Sequence, residues 1–358
     1  MDRKIRLGII GCGRISYKHI EAASNFFNDI ELVSVCDVIS DKAEQKVKEY
    51  VDYLSKQKKD VSTLPSIYMD YEKMLDNEQL DLVSICTPSG LHPIHGISVA
   101  KRGINVLTEK PMATNLKLAD DLIRTCDENK VKLFVVKQNR LNTTMQYLKK
   151  AIDKNRFGRI YMMLVNVLWT RPQSYYDEST WRGTWEFDGG AFMNQASHYF
   201  DLIEWFGGPV EYVTAATATM ARRIETEDTG SAIIKFRNGI MGNVNVTMLT
   251  YPKNLEGSIT VIGEKGTVRI GGVAINKVEK WEFAEPDEDD IKVLDSNYEP
   301  PNIYGFGHTG YYENVIDVLK NGSKPSTDGR GGRKSLELIL ALYKSSREGR
   351  TIHIPLDL

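Results

Sequence analysis

The chain opens with Ile5-Arg6-Leu7-Gly8-Ile9-Ile10-Gly11-Cys12-Gly13-Arg14-Ile15-Ser16, an apolar strand that runs into a glycine-rich turn. Such a turn lets the backbone approach a pyrophosphate closely at the N-terminus of the next helix, and a side chain at Gly13 would block that approach. Ser16 stands where the full fingerprint has a third glycine, and it is small enough for helix–strand packing. The stretch predicts the first βαβ unit of a dinucleotide-binding domain.

The second predicted strand, residues 32–36, ends at Asp37. A carboxylate at this position can accept hydrogen bonds from both ribose hydroxyls and would repel a 2′-phosphate, which favours NAD over NADP. The alternative is that Asp37 caps the helix that starts near Asp41. Turn, strand and acid taken together favour the dinucleotide interpretation.

The composition limits the other possibilities. A chain of 358 residues predicts about two domains. The 46 basic and 48 acidic residues leave a net charge of −2, and neither a basic stripe nor a long apolar run indicates a nucleic-acid or membrane partner. The start of the chain has no signal-peptide core, which predicts a cytoplasmic protein. The four cysteines show no metal-ligand spacing, so we expect reduced core residues and no metal site.

Strand and helix patterns alternate up to about residue 136, which predicts a parallel sheet covered on both faces. The predicted strands are residues 5–10, 32–36, 82–86, 104–107 and 131–136, and the predicted helices are residues 41–57, 92–102 and 115–129. We therefore expect a Rossmann domain over residues 1–137.

Strand patterns dominate after Gly158. They cover residues 160–169, 210–219, 231–237, 240–250, 258–263 and 266–270. Short connections predict a mixed, mostly antiparallel open sheet with helices on one face, in a substrate-binding and oligomerisation domain over residues 138–358. The segment after Arg330 can pack back on the first domain, and the acidic stretch 284–301 is predicted to be a surface loop. Because an open sheet face commonly needs a cover, we expect a homo-oligomer, a dimer or tetramer.

Glu109-Lys110-Pro111 follows the strand predicted over residues 104–107, at the edge where an open α/β sheet presents its ligand crevice. Pro111 favours an extended conformation at Lys110, and in an extended segment Glu109 and Lys110 point to opposite sides. Lys110 can then face the crevice alone. Beside an oxidised nicotinamide its pKa would fall, which suits it to hydrogen-bond or deprotonate a substrate hydroxyl. Spacing alone favours the alternative, a surface lysine at a strand end.

A second group of polar residues follows the glycine pair Gly189-Gly190. On one regular helix, Asn194, His198 and Asp201 would share a face, since they are four and three residues apart. A lone histidine on an amphipathic helix is usually structural, but the polar neighbours here support a functional role equally well.

Four motifs together resemble the Gfo/Idh/MocA family of glucose–fructose oxidoreductases and inositol dehydrogenases. They are Gly8-Ile9-Ile10-Gly11-Cys12-Gly13, Cys86-Thr87-Pro88 with His92, Glu109-Lys110-Pro111, and the segment from Gly190 to His198. The resemblance covers essentially the whole chain. It implies a Rossmann domain followed by a mostly antiparallel sheet domain, and nicotinamide-dependent oxidation or reduction at a sugar or cyclitol carbon.

The resemblance also implies roles for individual residues. Gly11, Gly13, Arg14 and Ile15 would line the pyrophosphate, Asp37 would hold the adenosine ribose, Thr87, Pro88 and His92 would border the cofactor, and Glu109, Lys110 and Gln138 would lie at its nicotinamide end. Lys110 and His198 would form the catalytic pair, with either one as the base. Many relatives carry Asp where this chain has Asn194, and an amide can orient His198 or bind substrate but cannot share its proton.

Within the family, three segments look most like the subgroup that oxidises UDP-N-acetylglucosaminuronic acid at C3 for bacterial surface polysaccharides. They are residues 138–140, 181–185 and 193–198. The implied substrate contacts are Arg140, Arg171, Trp181, Arg182, Asn194, Gln195 and His198. The implied product is a 3-keto sugar for a partner aminotransferase, and 2-oxoglutarate is allowed as a second substrate. The aromatic residues of this region, Tyr175, Tyr176, Trp181 and Trp185, can stack on the substrate or simply form core.

Two other functions stay open at this stage. One is a dehydrogenase of a free sugar or inositol, and the other is an NAD-binding sensor without turnover.

Overall fold

The computed structural model describes residues 3–59, 63–298 and 307–356. The chain folds as two compact units. The first contains the chain through Val136 together with His308–Arg333, and the second contains Lys137–Gly307 together with the residues from Lys334 onward. None of the described helices combines the length and the apolar character that a membrane crossing requires.

The first unit is built on a six-stranded parallel sheet. Its strands are β1 (Ile5–Ile10), β2 (Ile30–Cys36), β3 (Ser66–Tyr68), β4 (Leu82–Ile85), β5 (Asn105–Thr108) and β6 (Leu133–Val135), in the order β3-β2-β1-β4-β5-β6. The connecting helices include α1 (Ser16–Asn25), α2 (Ser40–Lys56), α3 (Tyr71–Asn77), α4 (His92–Lys101) and α5 (Leu116–Glu128). The central strands are buried along almost their whole length because helices cover both faces. This strand order is that of a dinucleotide-binding Rossmann domain, as predicted.

The second unit is built on an eight-stranded sheet. Its strands are β7 (Ile160–Leu168), β8 (Val210–Ala218), β9 (Thr229–Phe236), β10 (Met241–Thr247), β11 (Glu256–Gly263), β12 (Gly266–Gly271), β13 (Lys277–Phe283) and β14 (Ile352–His353), in the order β13-β12-β11-β7-β10-β9-β8-β14. Only β7 and β10 pair in parallel among these described neighbours, and the other pairs are antiparallel. The predicted mixed, mostly antiparallel sheet is confirmed.

One face of the second sheet is packed. Along β10, Val244 and Val246 are buried, whereas Asn243 and Asn245, which alternate with them, are partly exposed. The helices of this unit are α6 (Thr143–Asp153), α7 (Gln173–Asp177), α8 (Ser197–Gly207) and α9 (Asp289–Leu294). Ile203 of α8 lies so close to the sheet that a Cβ added at Gly242 would come within 3.1 Å of it. The packed face therefore carries α8, one of the two segments that bring the predicted catalytic side chains.

Two long helices end the chain, α10 (Gly307–Asn321) and α11 (Gly329–Glu348). In the first unit, Tyr311 of α10 donates a 2.6 Å hydrogen bond to the carbonyl of Val135 at the end of β6. The boundary between the two units falls within α11, between Arg333 and Lys334.

The predicted surface loop over residues 284–301 is wrong in its middle, where α9 forms. Val293 of this helix is fully buried, and Asp289 pairs with Lys150 of α6 at 2.7 Å. The acidic residues that suggested a loop thus anchor a short helix. Residues 299–301 lie outside the described residues.

Candidate active site

The glycine turn lies between β1 and α1, and its two glycines have different surroundings. Gly11 has a φ of +93°, and a Cβ there would lie 2.7 Å from the backbone of Cys86 and Thr87. A Cβ on Gly13 would instead meet no described atom within 4 Å, so this side of the turn is open. The first turn of α1 carries no acidic residue. An open backbone cradle at a helix N-terminus suits a pyrophosphate, so these residues fit a dinucleotide.

Asp37 is held against this turn by its own carboxylate. Its Oδ2 accepts the Cys12 N–H at 2.8 Å, and its Oδ1 accepts the Ile39 N–H at 2.9 Å. Each oxygen has a second lone pair with which to accept a ribose hydroxyl. The helix-cap alternative is wrong, because α2 is preceded by Ile39 and has no side-chain cap.

His92 joins the loops that follow β4 and β5. Its Nδ1 lies 2.7 Å from the carbonyl oxygen of Pro111, and its Nε2 lies 2.8 Å from that of Thr87. The ring is buried, and burial lowers its pKa although the two carbonyls oppose that effect. His92 therefore holds Thr87 and the Lys110-Pro111 loop in a common frame, and both of its ring nitrogens are engaged by protein.

Glu109 is buried and lies between two histidines. Its Oε1 is 3.0 Å from the Nε2 of His19 and 3.0 Å from the Nε2 of His308. Burial alone would raise the pKa of Glu109, but the hydrogen bonds and charges of both histidines lower it well below its ordinary value. The three ligand atoms lie within 4.8 Å of one another, a spacing that the two imidazole–carboxylate contacts account for. Neither histidine was among the residues predicted from the sequence.

Lys110 follows Glu109 directly and is half-buried, whereas Glu109 is almost fully buried. Its backbone N–H lies 3.2 Å from Glu109 Oε2. The carboxylate thus contacts the loop backbone as well as the two histidines. In this way the residue before Lys110 is tied to α1 through His19 and to α10 through His308.

In the second unit, the side chain of Gln138 contacts His198. The Gln138 Nε2 lies 3.0 Å from the His198 Nε2, and both residues are buried. The Gln138 amide thus holds this ring nitrogen, whose role as donor or acceptor follows from the tautomer of His198. The Gln138 Oε1 is buried without a hydrogen-bond partner among the described residues. The sequence placed Gln138 at the nicotinamide end, and the structure adds that it orients the predicted catalytic histidine.

The segment from Gly190 to His198 is not one regular helix, so that part of the sequence interpretation is wrong. Residues Ala191–Gln195 form a π-helical turn, and α8 begins only at Ser197. Gly189 and Gly190 both have φ of +85°. Asn194 donates to Asp188, whereas Asp201 accepts from Arg140. The polar residues that one helix face would have gathered therefore have separate partners.

Arg140 was predicted to contact the substrate, and the structure gives its guanidinium a carboxylate partner. Its Nε and Nη2 lie 2.7 and 2.8 Å from the two oxygens of the buried Asp201. Lys137 lies 3.6 Å from the same carboxylate, and burial lowers the pKa of Lys137. Two cations thus surround one buried anion beside Gln138.

A cluster of arginines surrounds Tyr175, and we call Arg171, Tyr175, Arg182 and Arg222 the arginine–tyrosine cluster. The guanidinium carbons of Arg171 and Arg182 lie 5.4 and 4.3 Å from the centre of the Tyr175 ring. Arg222 donates to the carbonyl of Arg171 at 2.6 Å. Arg182 also contacts Glu178 at 2.5 Å, so one of the three guanidinium groups already has a carboxylate partner. Guanidinium groups gathered in this way suit bidentate contact with phosphate or carboxylate.

Two more of the predicted substrate contacts lie near this cluster in the chain. Trp181 is half-buried, and the Arg182 guanidinium lies 5.7 Å from its ring centre. Gln195 is buried at the end of the π turn, and its Nε2 has no hydrogen-bond partner among the described residues. Arg222 was not predicted from the sequence. Its approach to Arg171 depends on the loop before β9, in which the Asp228 carboxylate accepts the backbone N–H of Arg222 at 2.9 Å.

Two family models match this chain. The model of an oxidoreductase family's NAD-binding Rossmann fold matches residues 5–137, and the model of an oxidoreductase family's C-terminal alpha/beta domain matches residues 149–354. These matches confirm the predicted oxidoreductase class, the two-part fold and NAD as cofactor.

Solved structures and curated relatives agree with those models. The WlbA dehydrogenase of Bordetella pertussis, in complex with NADH and UDP-GlcNAcA, is 53% identical, with 99% of each chain covered and a TM-score of 0.92. The WlbA dehydrogenase of Chromobacterium violaceum, with the same two ligands, is 50% identical over 100% of this chain and 98% of that one, with a TM-score of 0.90. Inositol 2-dehydrogenase of Rhizobium meliloti is 26% identical over 98% of this chain and 99% of the relative.

Proposed function

Because the chain belongs to the Gfo/Idh/MocA family of NAD-binding oxidoreductases, we propose that it oxidises C3 of UDP-N-acetylglucosaminuronic acid (UDP-GlcNAcA) to the 3-keto sugar. The observation that carries this choice is the likeness, at 53% and 50% identity over nearly the whole chain, to two dehydrogenases in complex with NADH and UDP-GlcNAcA. The polar and cationic residues described above support the same substrate.

The two predicted catalytic residues are Lys110, in the loop after β5, and His198, in the first turn of α8. We propose that both act on the hydroxyl at C3. Bound NAD supplies the hydride acceptor at C4 of the nicotinamide. The hydroxyl proton passes to the Lys110 amine or to the imidazole of His198, whose Nε2 lies 3.0 Å from the Gln138 amide. Loss of that proton and of the C3 hydride leaves a carbonyl group.

The arginine–tyrosine cluster supplies the positive charge that the diphosphate and the uronate require. Asn194 and Gln195 add amides for the sugar hydroxyls. Since Arg140 already binds Asp201 through two hydrogen bonds, we propose that it positions the segment beside Gln138, and that Arg171 and Arg182 make the ionic contacts to substrate.

The rival substrate is a free sugar or inositol, which matches the inositol 2-dehydrogenase relative. We therefore compare UDP-GlcNAcA, free N-acetylglucosamine, glucose and myo-inositol under the same conditions, and follow NADH by its absorbance. Turnover of the nucleotide sugar alone, or with a large preference, supports the proposal. Turnover of free sugars or inositol but not of UDP-GlcNAcA rejects it, and NAD binding without turnover of any carbinol favours a sensor.

Three consequences belong to the same proposal. The 3-keto product is the substrate class that an aminotransferase converts to a 3-amino sugar, which fits surface polysaccharide synthesis. A cofactor that stays bound can be reoxidised by a 2-oxo acid such as 2-oxoglutarate.

A homo-oligomer would cover the outer face of the second sheet, where Ile233 and Met241 are 47% and 45% exposed. Sedimentation of the I233E/M241E variant and of the natural chain tests this.

A further inference from the structure

Glu227 is a buried acid that has no part in the proposed chemistry. It lies just before β9, is 3% exposed, and contacts the π turn that carries Asn194. Its Oε1 accepts the Phe192 N–H at 2.7 Å and lies 2.8 Å from the hydroxyl of Tyr343 on α11. Its Oε2 is buried without a hydrogen-bond partner among the described residues. A buried ionised carboxylate would leave that oxygen uncompensated.

The contacts of Tyr343 show where a proton must lie. Its hydroxyl oxygen accepts the Met193 N–H at 3.1 Å and contacts the carbonyl of Gly189, which can only accept. The single hydroxyl proton therefore goes to Gly189. The remaining contact, with Glu227 Oε1, then needs a proton supplied by Glu227, because two acceptors facing each other would repel. One proton on Oε1 satisfies every contact of the Tyr343 hydroxyl.

The surroundings of Glu227 favour the neutral acid as well. A Cβ at Gly190 would overlap the carboxyl group, so Oε2 faces the bare Cα of a glycine. The titratable groups beside Glu227 are Tyr343, on α11, and Asp188, just before the glycine pair. Burial, with a smaller effect from the Asp188 charge, raises the pKa of Glu227 to about 8, although the Phe192 N–H opposes the rise.

We infer that Glu227 is held as a neutral carboxylic acid and that, with Tyr343, it positions the turn from Gly189 to Gln195 that presents Asn194 and Gln195 to the substrate. The positioning role rests on the proposed function, whereas the protonation state does not. Ionisation of Glu227 would remove the proton that Tyr343 receives and place a carboxylate against it. The single Tyr343 proton would then have to serve either Gly189 or Glu227, which weakens the contacts that hold the turn to α11.

The first test measures the thermal midpoint of the natural protein and of E227Q as a function of pH, without cofactor or substrate. A group whose folded-state pKa is raised from 4.5 to about 8 stabilises the fold fully below pH 4.5 and loses that contribution as the pH rises through about 8. The midpoint of E227Q relative to the natural protein must therefore increase over this range. The test depends on how this difference in thermal midpoint changes with pH, and not on how much E227Q destabilises the protein at any single pH. E313Q, which changes an exposed glutamate of α10, serves as control and should give a flat difference.

The second test uses infrared spectroscopy. The natural protein should show a protonated-carboxyl band at neutral pH that disappears above about pH 8 and is missing from E227Q. A flat difference in thermal midpoint, or no such band, overturns the inference about the proton. If E227Q does not fold, the pH titration of the band in the natural protein still tests whether Glu227 is protonated.

The positioning role is tested with Y343F, which keeps the ring but removes the hydroxyl. We expect KM for UDP-GlcNAcA to rise about tenfold, the loss typical of one hydrogen-bonding group, while NADH binding is unchanged. An unchanged KM rejects the positioning role. If the natural protein does not turn over UDP-GlcNAcA although the thermal and infrared results hold, the proposed function fails and the neutral Glu227 stands.

Discussion

The carboxylate of Glu109 lies 3.0 Å from the imidazole Nε2 of His19, and this contact joins two parts of the first unit. His19 belongs to α1, the helix whose N-terminus forms the glycine turn, and Glu109 immediately precedes Lys110. Ser84 and Tyr312 contact the other ring nitrogen of His19 at 2.7 and 2.9 Å. The glycine turn and the lysine loop are therefore held by one buried network.

Replacing His19 by Ala should destabilise the protein by about 3–5 kcal/mol, because it leaves the buried Glu109 carboxylate with one partner fewer. Chemical denaturation measures the loss. R124A, which breaks an ion pair in which the arginine side chain is 66% exposed, should cost no more than about 1 kcal/mol. Equal losses in the two variants would contradict the importance of the buried network.

The pH dependence of the same difference follows from the shifted pKa values. Burial opposes protonation of His19, but Cys86, Tyr312 and Glu109 raise its pKa, so its contribution is complete below pH 6.5 and is lost as the pH rises through the folded-state value. The pKa of Glu109 is lowered, so its contribution is complete above pH 4.5 and is lost as the pH falls. The stability difference between H19A and the natural protein should be largest between pH 4.5 and 6.5. A difference that increases steadily above pH 6.5 would contradict this assignment.

Replacing Asp37 by Ala should weaken NADH binding about 10- to 150-fold, because the substitution removes hydrogen bonds to a charged acceptor and loosens the turn at Cys12. NADPH binding should change much less, since the carboxylate no longer repels the 2′-phosphate. Fluorescence titration of both cofactors measures the ratio. D41A, which changes an exposed acid in the first turn of α2, should leave both affinities unchanged. An unaltered ratio in D37A would remove Asp37 from ribose recognition.

Replacing Lys110 by Ala should lower kcat at least about 100-fold while NADH binding survives, which is the usual scale for an acid–base group. Steady-state turnover and a separate cofactor titration give the two quantities. K101A, which changes an exposed lysine at the end of α4, should behave as the natural enzyme. Full turnover in K110A would exclude this lysine from the mechanism.

Replacing Arg182 by Met should raise KM for the nucleotide sugar about 10- to 150-fold, because it removes a charged donor from the arginine–tyrosine cluster. The affinity for NADH should stay the same, since Arg182 is not among the residues assigned to the cofactor. R124M removes an exposed arginine of α5 and should change neither quantity. If R182M keeps the natural KM, the cluster does not bind the diphosphate or the uronate.

Much of the fold could be predicted because its strands have strong local signals. β1, β2 and β4 are short apolar runs, as expected of strands buried on both faces, and each was predicted to within a few residues. β3 has only three residues, two of them exposed, and gave no comparable signal. The α9 helix was missed because its acidic residues suggested a loop, whereas they bind lysines far along the chain.

The candidate site, too, could be predicted only where its residues are close together in the sequence. The glycine turn and Asp37 are close in sequence and were predicted together, whereas His19 and His308 lie 90 and 199 residues from Glu109. The π turn depends on Glu227 and Tyr343, which are 35 and 150 residues from the backbone groups that they contact. Helical spacing around His198 could not reveal partners that only the folded second unit brings to the turn.

Oxidation at C3 is tested most directly with UDP-GlcNAcA that carries deuterium at C3. The enzyme is incubated with NAD and the labelled sugar and then denatured, and mass spectrometry is applied to the released cofactor and sugar. We expect deuterium at C4 of the reduced nicotinamide and a carbonyl at C3 of the sugar. Deuterium that stays in the sugar, whether or not NADH forms, would contradict the account.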